Sequence, residues 1–427
     1  MTTRVLVVGG GGREHALAWA ISRSASVDEL ICAPGNPGMA NIAERIPVAV
    51  NDPAAVAELA NKVDADLVVV GPEEPLVAGV VDALRNAGRL AFGPTAAAAR
   101  LEGSKGWMKD VLTSAAVATA RHGVFGPGEE EAAIAFLDQL PGRYVVKTDG
   151  LAGGKGVLVT ESRREARDAV RAYLSGEAFG EAGRTCVIEE VLSGPELSVF
   201  ALCDGTRAAL VGAAQDHKRA FDSDAGPNTG GMGAYSPVPF VATSVLDAVM
   251  TDAIEPTLRE LAARGAPYQG VLFCGVMLTD AGPKVLEYNV RFGDPECQVL
   301  MPRVTSDVFV HLLECAFGHL ETPIEQSGDA CVGVVLAADG YPPAPARKGD
   351  VIVGLDRAGA QTGVVIFQAG TATDDDGQIV TAGGRVLTVT GVGADVRQAR
   401  DRAYAAASEI SWPGLHYRRD IAAQALL

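Results

Sequence analysis

Along Lys284-Val285-Leu286-Glu287-Tyr288-Asn289-Val290-Arg291 polar and apolar residues alternate, a period of two that predicts a strand. Successive strand side chains point to opposite faces, so Glu287, Asn289 and Arg291 are expected on one face and Leu286, Tyr288 and Val290 on the other. The turn Gly293-Asp294-Pro295 then ends the strand. In the first hundred residues short apolar runs alternate with helical patterns, the mark of a parallel α/β sheet. Val5 to Val8, Glu29 to Ala33, Asp66 to Val70 and Arg89 to Phe92 read as strands, and Arg13 to Ser22 as a helix. A glycine or proline turn follows each strand: Gly9 to Gly12, Pro34-Gly35-Asn36, Gly71-Pro72-Glu73 and Gly93-Pro94-Thr95. In an open parallel sheet such turns line the crevice at the strands' carboxyl ends, where ligands bind. The plainer alternative is that they only end strands.

From Leu101 the texture changes. A helix opens at Ser104-Lys105, and an insert follows from about Val117 to Leu192. It holds strands Arg143 to Lys147 and Gly156 to Thr160, the helix Arg164 to Leu174 and a closing strand Thr185 to Val191. The stretch to about Phe317 reads as longer loops around the opening motif. After Ile324 strands are expected at Cys331 to Ala337, Asp350 to Gly354, Val364 to Gln368 and Arg385 to Thr390, then a helix from Ala394 to Ile410. A chain of 427 residues exceeds one core. At ~150 residues per domain it predicts about three domains. Their expected bounds are 1–100, 101–325 with a lid at about 120–190, and 326–427.

Charge narrows the partners. With 36 basic and 53 acidic residues the net charge is −17, which repels nucleic acid and anionic membrane surfaces. Small phosphorylated ligands remain compatible, because glycine turns and lysines bind phosphate locally. The cysteines at 32, 186, 203, 274, 297, 315 and 331 form no Cys-x-x-Cys pair, so they are expected as free core residues in a reducing cytoplasm. No apolar run approaches the ~20 residues of a membrane span, and the N-terminus lacks a signal segment. A soluble, unprocessed protein is expected.

The carboxylate of Glu287 and the amide oxygen of Asn289 are hard ligands suited to Mg²⁺, an ion that bridges nucleotide phosphates. A solvated edge-strand face is the bland alternative. Gly9-Gly10-Gly11-Gly12 fails both registers of the dinucleotide fingerprint, and the second strand ends in Cys32-Ala33-Pro34 without a ribose-binding acid. A phosphate monoester at the helix start fits better. Lys147 to Gly156, with Gly153, Gly154 and Lys155 in its turn, is no Walker A loop and reads as a hairpin lid over triphosphate. Around Glu189, Glu190, Val191 and Leu192 a strand leaves its sheet, freeing backbone groups for an adenine edge, and Glu196 is placed to accept ribose hydroxyls. His217, in Asp216-His217-Lys218-Arg219, is either a base or a hydrogen-bonded structural residue. Gly226 to Gly233 is a glycine-dense loop suited to close backbone approach.

This ordered set resembles the phosphoribosylamine–glycine ligase (glycinamide ribonucleotide synthetase) family of the ATP-grasp superfamily. The signature Arg-Phe-Gly-Asp-Pro-Glu stands at Arg291 to Glu296. Further likenesses are Gly11 to Leu17, Ala33 to Asn36, Val70 to Glu73, Phe92 to Thr95, Leu101 to Lys105, Asp149 to Ala152, Gln215 to Arg219 and Gly226 to Pro237. The resemblance implies a multidomain α/β and α+β architecture: an N-terminal open parallel sheet, a central ATP-grasp fold with a small lid, and a strand-rich C-terminal domain. It implies ATP with Mg²⁺ or Mn²⁺, the substrates glycine and 5-phosphoribosylamine, and a glycyl phosphate intermediate.

Carried over by resemblance, Lys105 and Lys147 hold the nucleotide phosphates, Gly153 to Gly156 form the mobile loop, Glu189 to Leu192 form the adenine hinge, and Glu196 takes the ribose. Glu287 and Asn289 are the metal pair. Arg291, Asp294 and Asp216 orient glycine, the four N-terminal turns, with Gly10, Gly11, Gly12, Asn36, Gly71, Pro72 and Glu73, hold phosphoribosylamine, and Gly293 is a further substrate-binding residue. The chain departs from the family at Cys274, where many superfamily members carry an acid, and at Thr148 and Gly153, where alanine is usual. A monomer without nucleic-acid or membrane partners is expected, with transient contact with the preceding pathway enzyme. A nucleotide oxidoreductase, another ATP-grasp ligase and a catalytically silent nucleotide-binding module are the competing readings.

Overall fold

The computed structural model describes residues 2–150, 156–178, 183–342 and 344–426. Its first unit is a five-stranded parallel sheet built from β1 (Arg4–Gly9), β2 (Glu29–Pro34), β3 (Glu44–Arg45), β4 (Leu67–Val70) and β5 (Ala91–Phe92), in the order β3-β2-β1-β4-β5. The central strands are unbroken apolar runs because helices cover both faces, and Val5 to Val8 are fully buried. Edge strand β3 was not anticipated, since its two residues, Glu44 and Arg45, are both exposed. Helix Gly12–Ile21 leaves β1 through the glycine turn.

A second sheet of four antiparallel strands comprises β6 (His122–Phe125), β7 (Tyr144–Thr148), β8 (Val157–Thr160) and β9 (Cys186–Glu190), ordered β6-β9-β7-β8. Helices Glu130–Leu137 and Arg163–Leu174 close one side of it over a separate core containing Val146, Val170 and Ile188. Three of these strands and the second helix match the expected insert. β6 and helix Glu130–Leu137 carry too little apolar periodicity to stand out.

The largest sheet corrects the expectation of long loops before Phe317. It begins with β10 (Glu196–Asp204) and β11 (Ala208–Asp216); the hairpin β12 (Arg219–Phe221) and β13 (Ala225–Asn228) stands beside it. It continues through β14 (Gly233–Ser236), β15 (Gln269–Thr279), β16 (Gly282–Asn289) and β17 (Ala330–Ala337). Leu197 to Cys203 are all nearly or wholly buried, so alternation is lost and the strand hides in a continuous apolar run. β18 (Val364–Gln368), a short pair β19 (Thr371–Thr373) and β20 (Ile379–Thr381), and β21 (Arg385–Gly393) complete the strands. The eight-stranded order is β16-β15-β10-β11-β14-β17-β21-β18, so the C-terminal strands hydrogen-bond into the central sheet. Asp350 to Gly354, expected as a strand, makes only isolated bridges from Val351 to Val380 and from Val353 to Ser411.

The opening motif is partly corrected as well. The β15–β16 register slips between Gly275 and Val276, which pair with Glu287 and Val285, leaving Leu286 as the bulged residue. Leu286 therefore lines the cleft with Glu287, and Val285, Tyr288 and Val290 fill the core side. The buried Tyr288 hydroxyl bonds Thr257 Oγ1 at 2.9 Å and donates to the Ala253 carbonyl at 3.0 Å. Tyr288→Phe would strand these groups, with an expected stability loss of about 1–2 kcal/mol in urea unfolding. Nucleotide affinity should be unchanged, since the hydroxyl points away from the cleft.

Candidate active site

A cavity of about 770 Å³ lies between the large sheet and the four-stranded sheet. That size suits a small-molecule site. Lys105, Lys147, Gly156, Glu189, Glu190, Val191, Leu192, Glu196, Asp216, Glu287, Asn289, Arg291, Asp294 and Glu73 all line it. Residues from eight different segments thus meet where the sequence reading placed a nucleotide. Gly153, Gly154 and Lys155 lie outside the described residues.

Lys147 stands on β7 and Lys105 at the start of helix Lys105–Ser114, whose cap Ser104 accepts from the Trp107 amide at 3.1 Å. Both side chains line the cleft, Lys147 buried and Lys105 half-buried with its Nζ donating to the Gly150 carbonyl at 3.1 Å. Glu189 Oε2 holds Lys147 at 3.1 Å, while Glu189 Oε1 lies 3.1 Å from Lys109 Nζ. Burial works against the Lys147 charge, but Glu189 and Glu287 outweigh it and raise its pKa. At Lys109 burial prevails over Glu189 and brings the pKa down to about 8. Glu189 therefore serves as the anion under two lysines. β9 ends at Glu190, so the peptide groups of Val191 and Leu192 lie outside the ladder, as a hinge for a planar base requires. Glu196 is joined to Lys218 at 2.6 Å, and Lys218 reaches Asp216 at 3.0 Å.

Glu287 and Asn289 face the same cavity. Among the described residues the Glu287 carboxylate has no hydrogen-bond or ion-pair partner, and Asn289 Oδ1 accepts only a 3.3 Å contact from Arg291 Nη2. An unpaired carboxylate beside an amide oxygen fits a divalent cation with hard-ligand preference. No cluster of three His, Cys, Asp or Glu suited to a metal exists among the described residues, so phosphate and water must complete such a shell. Cys274 supplies nothing there: it is buried, with its thiol pushed up to about 12 by desolvation, and Phe273 and Gly275 form the adjacent cleft wall.

Arg291 lies just past the end of β16 and is fully committed. Its Nε meets Glu73 at 3.2 Å and its Nη2 meets Glu102 at 3.1 Å. Glu102 also accepts the Val290 amide at 2.8 Å. Burial opposes the Glu73 charge, yet Arg291 and Arg13 hold its pKa at about 2. Asp294 accepts the Arg13 amide at 3.2 Å and Gln298 Nε2 at 2.9 Å, and Arg385 Nη1 lies 3.3 Å away. Despite burial, Arg385 and Arg13 keep its pKa below the usual value.

A second cavity of about 550 Å³ opens between the first glycine turn and the C-terminal strands, lined by Gly11, Asp294, Tyr341, Ala344 to Ala346, Ala369, Gly370, Gly384 and Arg385. The two cavities share Asp294, Tyr341 and Arg385. Gly10, Gly12, Asn36, Gly71, Pro72 and Gly293 line neither. The Gly11 amide is already taken by Glu14 Oε2 at 2.7 Å, and a side chain at Gly71 would collide with that same Glu14. A side chain at Gly12 would meet Gln298 Nε2 at 2.5 Å. Asn36 spends its amide on the Gly10 and Gln368 carbonyls at 3.0 and 2.7 Å. Gly12, Asn36 and Gly71 thus shape the turns rather than front the cavities, whereas Gly11 fronts the smaller one. His217 is buried outside the cleft wall, with a pKa lowered chiefly by desolvation, and its Nδ1 has no hydrogen-bond partner among the described residues, so it is not the hydrogen-bonded histidine expected as the structural alternative.

Arg13, Glu102, Lys109, Lys218, Glu296, Tyr341 and Arg385 escaped the sequence reading. Arg13, Glu102, Lys218 and Glu296 lie inside the family-like motifs, and the adjacent charges Arg13-Glu14 at the start of a mostly apolar helix are a usable signal.

Models of the phosphoribosylglycinamide synthetase N domain, ATP-grasp (A) domain and C domain match residues 3–102, 103–297 and 331–424. The chain belongs to the phosphoribosylglycinamide synthetase family. Similar to it are phosphoribosylamine–glycine ligases of Mesorhizobium japonicum, 51% identical over 99% of this chain and 98% of the relative, and of Brucella melitensis, 49% identical over 98% and 97%. The crystal structure of a phosphoribosylamine–glycine ligase from Thermotoga maritima superimposes with a TM-score of 0.85 at 35% identity, covering 98% of this chain and all of that one. A biotin carboxylase from Campylobacter jejuni shares the fold, at TM-score 0.75 and 15% identity over 98% of this chain and 93% of its own. Membership in the phosphoribosylglycinamide synthetase family confirms the ATP-grasp architecture and carboxylate–amine ligase chemistry. No helix among the described residues is long and apolar enough to cross a membrane.

Glu296 is nearly fully buried, and desolvation together with Asp216 raises its pKa to about 7 despite Lys218. Below that pH the folded state holds a proton that the unfolded chain releases at its ordinary value, so stability falls as pH rises through the window. Between pH ~4.5 and ~7 the parent should lose on the order of 1–3 kcal/mol relative to Glu296→Gln, measured by denaturant titration at each pH.

Proposed function

We infer that this cleft joins glycine to 5-phosphoribosylamine at the expense of ATP, giving glycinamide ribonucleotide, ADP and phosphate through a glycyl phosphate, a step of purine biosynthesis. One observation carries this reading: two cavities, one lined by paired lysines and an unpartnered carboxylate, open onto the same three residues, Asp294, Tyr341 and Arg385. A ligase that activates an acid with a nucleotide and delivers it to an amine needs such adjoining chambers.

In the larger chamber the adenine edge faces the peptide groups after Glu190, the ribose faces Glu196, and Lys105 and Lys147 meet the phosphates. Glu287 and Asn289 are the residues that would hold Mg²⁺ or Mn²⁺, which when bound supplies charge neutralisation at the phosphates. A carboxylate oxygen of glycine attacks the γ-phosphorus and ADP departs. The amine nitrogen then attacks the acyl carbon, the acyl phosphate bond breaks, phosphate leaves and the nitrogen sheds a proton. Arg291 opposes the charge on the reacting carboxyl and Asp294 and Asp216 face the amino groups. Fixed charges of this kind cost no reorganisation during the reaction. Lys147 reaches its place because Glu189, itself anchored by Lys109, holds it from beneath. Phosphoribosylamine is assigned to the smaller chamber against Gly11.

Seven free, buried cysteines support a reducing cytoplasmic setting. We take the working unit to be a monomer that receives its labile amine by transient contact with the enzyme producing it.

The test is phosphate release from ATP. It is expected only with glycine and phosphoribosylamine together, and release with neither, or with another acid in place of glycine, overturns the reading. Glu287→Ala should lower kcat on the order of 10²–10³-fold, through loss of the cation's anchor. Normal turnover by that variant at limiting Mg²⁺ would refute the metal assignment.

A further inference from the structure

Arg385 opens β21, far in sequence from every motif of the nucleotide cleft, yet it borders both cavities. Its Nη1 contacts the Gly230 carbonyl at 2.9 Å, the Gly231 carbonyl at 3.4 Å and the Asp294 carbonyl at 2.5 Å, and lies 3.3 Å from Asp294 Oδ1. One nitrogen thus clips the glycine-dense loop to the turn that carries Asp294. The remaining guanidinium donors, on Nε and Nη2, have no partner among the described residues. A guanidinium presents five donors in a rigid fork, and one with a free edge is suited to a phosphate or another oxyanion. That edge belongs to a side chain in the wall shared by the two chambers, while the opposite wall of the smaller one offers a glycine, Gly11, and no competing cation.

We propose that Arg385 couples the chambers: its free edge receives the anionic group of the phosphorylated amine in the smaller cavity, and its Nη1 thereby fixes Asp294 and the Gly230-Gly231 backbone in the larger one. Arg385 is a positioning residue for the first half of the reaction and a binding residue for the second substrate. Since all its contacts to Asp294 and the loop come from one nitrogen, a small rotation of the fork moves both together. This inference rests on the ligation reading above.

The experiment compares the parent chain with Arg385→Gln, Arg385→Lys and Arg385→Ala, using full-length protein. Ribose 5-phosphate serves as a stable probe carrying the phosphate and sugar without the amine. Arg385→Gln is expected to raise the KM for phosphoribosylamine and the inhibition constant of ribose 5-phosphate by at least about tenfold and to lower kcat, with affinity for a non-hydrolysable ATP analogue held within about twofold. Lysine keeps the charge without the fork and should restore only part of the loss. Added guanidinium should partly restore Arg385→Ala, an effect that a merely structural residue does not show.

An unchanged KM for phosphoribosylamine in Arg385→Gln overturns the proposal, and so does an equal loss of nucleotide-analogue affinity, which would mean general collapse of the cleft. Failure of the ligation reading is separately visible as absent substrate-dependent phosphate release in the parent. In that event thermal stabilisation of the parent by ribose 5-phosphate, lost in Arg385→Gln, still supports the anion site, and its absence in the parent removes it.

Discussion

Three guanidinium groups, each set against at least one carboxylate, hold this molecule's cleft together. Arg13 comes from the first helix, Arg291 from the end of β16 and Arg385 from β21, and they share the carboxylates of Glu14, Glu73, Glu102 and Asp294. Glu14 braces its neighbour Arg13, while Glu73, Glu102 and Asp294 pair with arginines distant in sequence, so the N-terminal sheet, the central sheet and the C-terminal strands are drawn to one point. Removing a single member would leave an uncompensated buried charge, which costs far more than the pair itself contributes. Such a network is therefore best understood as a device for alignment. It sets where the two cavities meet.

The lysines form a complementary arrangement. Lys105, Lys109 and Lys147 converge from one helix and one strand; Glu189 offsets the charges of Lys109 and Lys147, and Glu287, across the cleft, is the main favourable charge at Lys105 and contributes at the other two. Glu189 is committed to two of them, whereas Glu287 bonds to none. The protein thus neutralises only part of its positive charge internally. The remainder faces the cavity together with the Glu287 carboxylate, and this division follows from which acid is buried and which faces the cavity.

Much of this was legible in the sequence, for identifiable reasons. The parallel sheet announced itself through glycine and proline turns after short apolar runs, and the shared cleft face of Glu287 and Asn289 through strand alternation. Alternation also misled, because it presumes an unbroken ladder: the bulge at Leu286 turned that residue into the cleft and moved Val285 into the core. Wholly buried strands such as Val199 to Cys203 carry no period at all. At the glycine tetrad the buried carboxylate of Glu14 takes the Gly11 amide and would meet a side chain at Gly9 or Gly11, a packing role that no local pattern announces. Arg385 had no local signature, since its importance comes only from tertiary proximity to Asp294, 91 residues earlier.

The shared eight-stranded sheet has a consequence for anyone who would take the molecule apart. β14 is stitched to β17 by a ladder from Gly233–Val334 to Ser236–Cys331. Severing the polypeptide between them would strip one strand of its neighbour and present bare amides and carbonyls to solvent, the kind of raw margin that recruits other chains. Fragment libraries, split reporters and domain grafts built from this scaffold should therefore be cut elsewhere, where the backbone has no such seam to lose.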